Sequence, residues 1–313
     1  MKKFLLIITL FTLFPSTWLP VQAQENNQTN SSNLDLTPQS YELYALDPET
    51  LSQFYQDMLG MTLVSNAENN QGIKLGTADQ TVLLTIYPAN QEKTQATTGL
   101  YHTAYLFKDR KALVSILKHL YESKATLQGY ADHNVSEAIY LADPEGNGIE
   151  LYADRPRDQW KYDDQGNVIM GNDILDLRTL IKDVPAFEGM TADTKIGHEH
   201  LTVNNIEDTQ YFYSQLLGFD VTSQDEGALF MSSQGYHHHL GANIWLGQDL
   251  PSPQVGDQGL KQVNWQIKNA DSFKAIQDRL TQAGWTYDLI DDQTLAVTDN
   301  SGIPITISLV SSN

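Results

Sequence analysis

The stretch Gly129 to Tyr152, GYADHNVSEAIYLADPEGNGIELY, gathers three residue types that do chemistry together: His133, Tyr140 and Glu150. Apolar runs at Ala138–Leu141 and Ile149–Tyr152 flank Asp143-Pro144-Glu145-Gly146-Asn147-Gly148, so the spacing predicts two strands joined by a tight turn. Glu150, set between Ile149 and Leu151, must be protonated, paired or bound to a cation if it faces inward, because burying a bare carboxylate is costly. A metal is the obvious candidate. The chain has no cysteine, so any metal has to sit on histidine, carboxylate or water. Further histidines stand at His102, in an apolar strand-like segment, at His198 and His200, and in the run His237-His238-His239.

Positioning these residues requires a repeated scaffold. Tyr41–Gly60 matches Glu199–Gly218 at a constant offset: a short strand, a cap residue (Asp47, Asn205), then a helix carrying Phe54-Tyr55 or Phe212-Tyr213 and stopping at Gly60 or Gly218. The recurring aromatic pairs read as helix-to-sheet packing. Weaker copies begin near Tyr101 and Lys261, which predicts an α+β protein of four βαβββ modules at 38–92, 98–154, 195–248 and 259–311. The corresponding regions are 38–154 and 195–313, with a crossover linker at 155–194 that includes a short helix near 175–181.

The N terminus, with Lys2-Lys3, an apolar run Phe4–Leu19 and Val21-Gln22-Ala23, reads as a signal peptide over 1–23, followed by a disordered Asn/Gln/Ser-rich tether at 24–37. An exported protein with no stable membrane insertion after cleavage is expected. Nineteen basic against 39 acidic residues give a net charge of −20, which argues against nucleic acid as a partner. Self-association into a homo-oligomer is left open.

His133, Ile139-Tyr140, Asp143-Pro144, Gly146 and Glu150 resemble the signature of type I extradiol dioxygenases of the vicinal oxygen chelate (glyoxalase, bleomycin resistance, dioxygenase) superfamily, and Gly99–Trp160 is most similar to its catechol 2,3-dioxygenase branch. Ala131 departs from the residues usual at its place in that signature. The resemblance implies that two modules curl around one metal-binding hollow, with ligands from first and last strands. At the first-strand place stand Ser40, His102, His198 and Gln262; at the last-strand place stand Glu150, the His237–His239 run and Thr306. Sequential pairing leaves both hollows incomplete, whereas pairing modules two and three collects His102, His198 and Glu150 for Fe(II), or Mn(II). His200 competes with His198 as the inward residue.

By the same resemblance, His238 is the acid–base residue, Tyr140 bonds the reacting oxygen, and His133, His237 and His239 line the substrate site; which residue of the run is catalytic stays open. The implied activity is ring cleavage of a small aromatic diol with O2. One rival is a binding protein of the same fold that has lost its chemistry and sequesters a small aromatic or antibiotic-like ligand. Glyoxalase-type isomerisation is disfavoured, because that chemistry usually takes a carboxylate from both modules.

Overall fold

The computed structural model describes residues 34–66, 72–164, 166, 168–175 and 184–311. The expected signal peptide, most of the tether and nearly all of the helix expected near 175–181 lie outside the described residues. The tether's last residues do not fit that reading: Leu34 and Leu36 are buried, Asp35 accepts from the backbone N–H of Lys268 (3.0 Å), and Thr37 already begins a strand. Apolar side chains at alternate positions draw this segment into the core.

All four modules form. Module one is β1 (Thr37–Ala45), α1 (Pro48–Leu59), β2 (Thr62–Ser65), β3 (Ile73–Gly76) and β4 (Val82–Pro88). Module two is β5 (Gly99–Leu106), α2 (Arg110–Glu122), β6 (Leu127–Asp132), β7 (Ser136–Ala142) and β8 (Gly148–Asp154). Module three is β9 (Lys195–Thr202), α3 (Ile206–Gln210), β10 (Asp220–Asp225), β11 (Ala228–Ser232) and β12 (Leu240–Asn243). Module four is β13 (Gly259–Ile267), α4 (Ala270–Gln282), β14 (Tyr287–Asp291), β15 (Thr294–Thr298) and β16 (Pro304–Leu309).

Local chemistry explains the helices. Asp47 accepts from the Thr50 N–H (3.1 Å), Pro48 opens α1, Leu51, Tyr55 and Leu59 make its buried stripe, and Gly60 at φ 67° ends it in the left-handed region. Asn205 caps α3 in the same way through the Asp208 N–H (2.9 Å), and Gly218 ends the helical segment at φ 95°. One difference is that Tyr211–Leu217 winds as a π-helix in continuation of α3.

The modules pair across the sequence halves. One eight-stranded sheet runs β14-β15-β16-β13-β1-β4-β3-β2, and the other runs β10-β11-β12-β9-β5-β8-β7-β6. Module two therefore shares a sheet with module three, and module one with module four. The regions 38–154 and 195–313 are accordingly not the two sheets: each contributes one module to both. Antiparallel pairing of β5 with β9, and of β1 with β13, closes the seams.

The sheets are tied by matching buried contacts. Tyr55 donates to Asp143 in the turn after β7, and Tyr213 donates to Asp299 in the turn after β15, each at 3.0 Å. Each bond joins a helix of one sheet to a turn of the other, and Tyr41 and Tyr105 share a further hydroxyl bond of 2.7 Å. The turn aspartates thus do more than form turns. Asp143 also accepts from the N–H groups of Glu145 and Asn147, which fixes the loop leading to Glu150.

Candidate metal centre

Register across the second sheet builds the centre. Ala104 of β5 pairs with His198 of β9 on one side and Glu150 of β8 on the other, while His102 lies two residues away on the same face. The small side chain of Ala104 leaves room above it for its two neighbours to meet. Gly148 is needed for β8 to approach, since a Cβ there would lie 2.2 Å from the Tyr101 carbonyl oxygen. Glu150 Oε2 stands 3.0 Å from His102 Nε2 and 3.1 Å from His198 Nε2, and the two imidazole nitrogens are 3.4 Å apart. Among the described residues, this is the group whose donor atoms converge closely enough to hold a metal.

The donor set fits a divalent ion. Adjacent corners of an octahedron with bonds of about 2.1 Å are about 3 Å apart, close to the separations found. All three side chains are buried. Burial pushes the His198 imidazole down to about 4, leaving it neutral with a free lone pair. Burial alone would raise Glu150, but the imidazoles of His198 and His102 outweigh it and hold the carboxyl well below its usual range. The neutral His198 nitrogen and the Glu150 carboxylate, with His102 beside them, could therefore hold Fe(II) or Mn(II).

Two hydrogen-bonded chains flank the triad. In the first, His133 Nδ1 donates to the Gly171 carbonyl (2.7 Å), which leaves Nε2 to accept from the Tyr140 hydroxyl at 2.6 Å. The Tyr140 ring lies 5.8 Å from that of His102, and burial together with Glu150 raises its phenol well above 10. Gly171 belongs to the crossover, so the linker serves the site: Asp132 and Asp173 exchange backbone bonds to clamp it there.

In the second chain, the Asp154 carboxylate accepts from His237 Nε2 (2.9 Å) and from the Tyr236 hydroxyl (2.9 Å). His237 Nδ1 then faces His238 Nδ1 at 2.8 Å. With the His237 proton fixed on Nε2, its Nδ1 accepts from His238, and His238 Nε2 is left as the bare nitrogen. The His238 ring lies 4.1 Å from that of His198, and burial, reinforced by His198, lowers its imidazole well below 6.5.

Several expectations change. His237–His239 are not on the last strand of module three, for β12 begins at Leu240; they form the loop before it. The position on β12 equivalent to Glu150 is Gly241, paired with His200 as Glu150 is with Ala104. His237 is fully buried and held by Asp154, and His239 stacks on Tyr236 (4.7 Å) with Nδ1 accepting from the Ser233 N–H (3.2 Å). Both ring nitrogens of His237 and Nδ1 of His239 are thereby engaged within the protein, in place of the substrate-lining role expected for these two.

His198 and His200 are not alternatives, since residues two apart share a face; Glu199 between them points the other way and accepts from Thr103 (2.8 Å). Sequence reasoning did not single out Asp154 at the end of β8, Tyr236 in the loop before β12, or Gly171 in the crossover. In the other sheet, Gln262 bonds Asn264 (2.6 Å) and Thr306 (2.7 Å), and Asn264 bonds Ser40 (3.1 Å), so amides and hydroxyls stand at the places that the triad fills in the first.

The family model for the Glyoxalase/Bleomycin resistance protein/Dioxygenase superfamily matches residues 37–151 and 195–305, which is most of the chain and both halves of the repeat. The chain belongs to this superfamily. Among superfamily relatives, a catechol-2,3-dioxygenase from Bacillus subtilis (strain 168) is 35% identical over 262 residues, covering 81% of this chain and 90% of that protein. A biphenyl-2,3-diol 1,2-dioxygenase 3 from Rhodococcus globerulus is 31% identical over 108 residues, covering 33% of this chain and 56% of its own. Among solved structures, glyoxalase I from Zea mays aligns at a TM-score of 0.53 with 11% identity, over 88% of this chain and 93% of that one. The CppA protein from Streptococcus pneumoniae TIGR4 aligns at 0.55 with 14% identity, over 89% and 100%. These structural likenesses concern the fold alone.

Proposed function

We propose that this chain is an extradiol dioxygenase that opens catechol-type rings with O2 at a non-haem Fe(II), or Mn(II), centre. The observation that carries the proposal is the convergence of His102, Glu150 and His198 beside two hydrogen-bonded groups, His238 near His198 and Tyr140–His133 near His102. The 35% identity to a catechol-2,3-dioxygenase over most of both chains supports the same reading. The N-terminal signal pattern supports a working site outside the cytoplasm as part of this proposal.

His102, Glu150 and His198 would hold the ion, which when bound would supply a Lewis acid for the diol and a redox centre for O2. The chain's own residues then handle protons and orientation. His238, through its bare Nε2, takes a proton from the entering diol and returns it as the ring opens. A low imidazole pKa favours the unprotonated form needed for the first of these steps. Tyr140 keeps its proton and, with its ring beside His102, orients a substrate oxygen through its hydroxyl, while His133 and Gly171 fix the phenol. Burial of the triad excludes competing water.

Oxygen consumption with catechol, measured on wild type, His102→Ala and Glu150→Ala after anaerobic metal loading, tests the proposal. The expected result is uptake by wild type and a loss of more than about 1000-fold in either variant, together with loss of bound metal. Full activity in either variant would defeat it.

A further inference from the structure

On one side of the triad, three buried polar atoms have no hydrogen-bond partner: His200 Nε2, Thr202 Oγ1 and Asn243 Nδ2. Their residues are 3%, 2% and 0% exposed, so solvent does not satisfy them. Orphaned buried groups are expensive, at about 1–3 kcal/mol each, and a cluster of them calls for a partner. The three are also neighbours. Thr202 of β9 pairs with Asn243 of β12, and His200 pairs with Gly241, the glycine over which the His200 ring lies, since a Cβ there would come within 2.9 Å of it.

His198, His200 and Thr202 follow one another on the same face of β9, so the cluster extends the triad's face along the strand. Aromatic rings border it: Tyr101 at 5.1 Å, Trp245 at 5.4 Å and Phe230 at 5.8 Å from the His200 ring. A bulge between Leu100 and His102 accompanies the turn of Tyr101 toward these rings. Tyr101 and Trp245 are 40% and 53% exposed, which leaves an open rim above a polar floor.

We propose that His200, Thr202 and Asn243 form a specificity subsite for the non-reacting end of the substrate, and that this end carries a neutral hydroxyl or carbonyl on a short arm attached to the ring. The inference rests on the dioxygenase reading for the position of the ring. An imidazole, a hydroxyl and an amide N–H can each bond such an oxygen, the aromatic border accepts the flat ring, and none of these lining residues is cationic to favour a carboxylate.

The test compares 3- and 4-ethylcatechol with 3- and 4-(hydroxymethyl)catechol, pairs in which a methyl is exchanged for a hydroxyl of similar size. Dissociation constants are read under argon from the quenching of tryptophan fluorescence, in metal-free and metal-loaded protein, and kcat/KM from oxygen uptake. For at least one ring position, wild type is expected to prefer the hydroxymethyl compound by about tenfold, with the ratio falling below about threefold in both Thr202→Val and His200→Phe. Thr202→Val removes an unpaired hydroxyl with little change of shape, so its fold is expected to survive, and His200→Phe probes the second group independently. Equal affinities in wild type, or a preference unchanged in both variants, would overturn the subsite. Absence of oxygen uptake with every catechol would instead defeat the catalytic reading, while the binding ratios still decide the subsite.

Discussion

Replacing Asp154 by asparagine should reverse the proton arrangement that leaves His238 able to act as a base. The carboxylate accepts from both His237 Nε2 and the Tyr236 hydroxyl. Asparagine offers one oxygen in their place; if that oxygen stays with Tyr236, its amide N–H meets His237 Nε2 and drives the His237 proton to Nδ1. That proton then faces His238 Nδ1, 2.8 Å away, and forces the His238 proton onto Nε2, the nitrogen needed bare. Regaining the productive arrangement leaves His237 Nε2–H facing the amide N–H, and an unsatisfied buried donor costs about 1–3 kcal/mol, which corresponds to a fall in kcat of about 5- to 150-fold. Metal content should be unchanged, because His102, Glu150 and His198 are untouched. Steady-state oxygen uptake measures the rate, elemental analysis the metal, and the 15N shifts of His238 the tautomer directly. Wild-type kcat in a fully loaded Asp154→Asn protein, or an unchanged His238 tautomer, would refute the reasoning.

Other expectations follow from the same contacts. Gly197→Ala would place a Cβ 1.7 Å from the Tyr152 hydroxyl, which bonds that of Tyr236; urea denaturation should show a loss of about 3 kcal/mol, and adding Tyr152→Phe should cost less than the sum of the two changes. Burial raises the Asp299 carboxyl from 3.8 to about 6, so between these values the folded chain keeps a proton that the unfolded chain releases. Its stabilising contribution, whole only below pH 3.8, is therefore lost as pH rises through 6, a change of about 3 kcal/mol in all, of which about 2 kcal/mol falls between pH 4.5 and 7 and should be flattened by Asp299→Asn in denaturation curves at those two values. Export should leave a mature chain starting at Gln24, as read by N-terminal sequencing.

Much of the architecture was legible because the repeat writes its own punctuation. Asp47, Asn205, Gly60 and Gly218 mark helix ends by local chemistry, which needs no knowledge of distant contacts. The crossed pairing of modules was legible for a different reason: only one combination completes a donor set, and the strand register bears out that His102, Glu150 and His198 share a face. The run His237–His239 misled because alternation assumes a strand, whereas Tyr236 draws His237 and His239 into stacks within a loop. The roles of Asp154, Tyr236 and Gly171 depend on contacts made by turns and by the crossover, about which periodicity is silent. In sequence His200 competes with His198, although residues two apart on a strand lie side by side.

Metal content and oxygen uptake, measured together on one anaerobically purified and loaded sample of the wild-type chain and of Glu150→Ala, test the central claim most directly. The account predicts about one Fe or Mn per wild-type chain, consumption of O2 on adding catechol with a yellow ring-opened product, and neither in the variant. Wild-type protein that holds no stoichiometric metal and leaves O2 untouched while still binding catechol would contradict it.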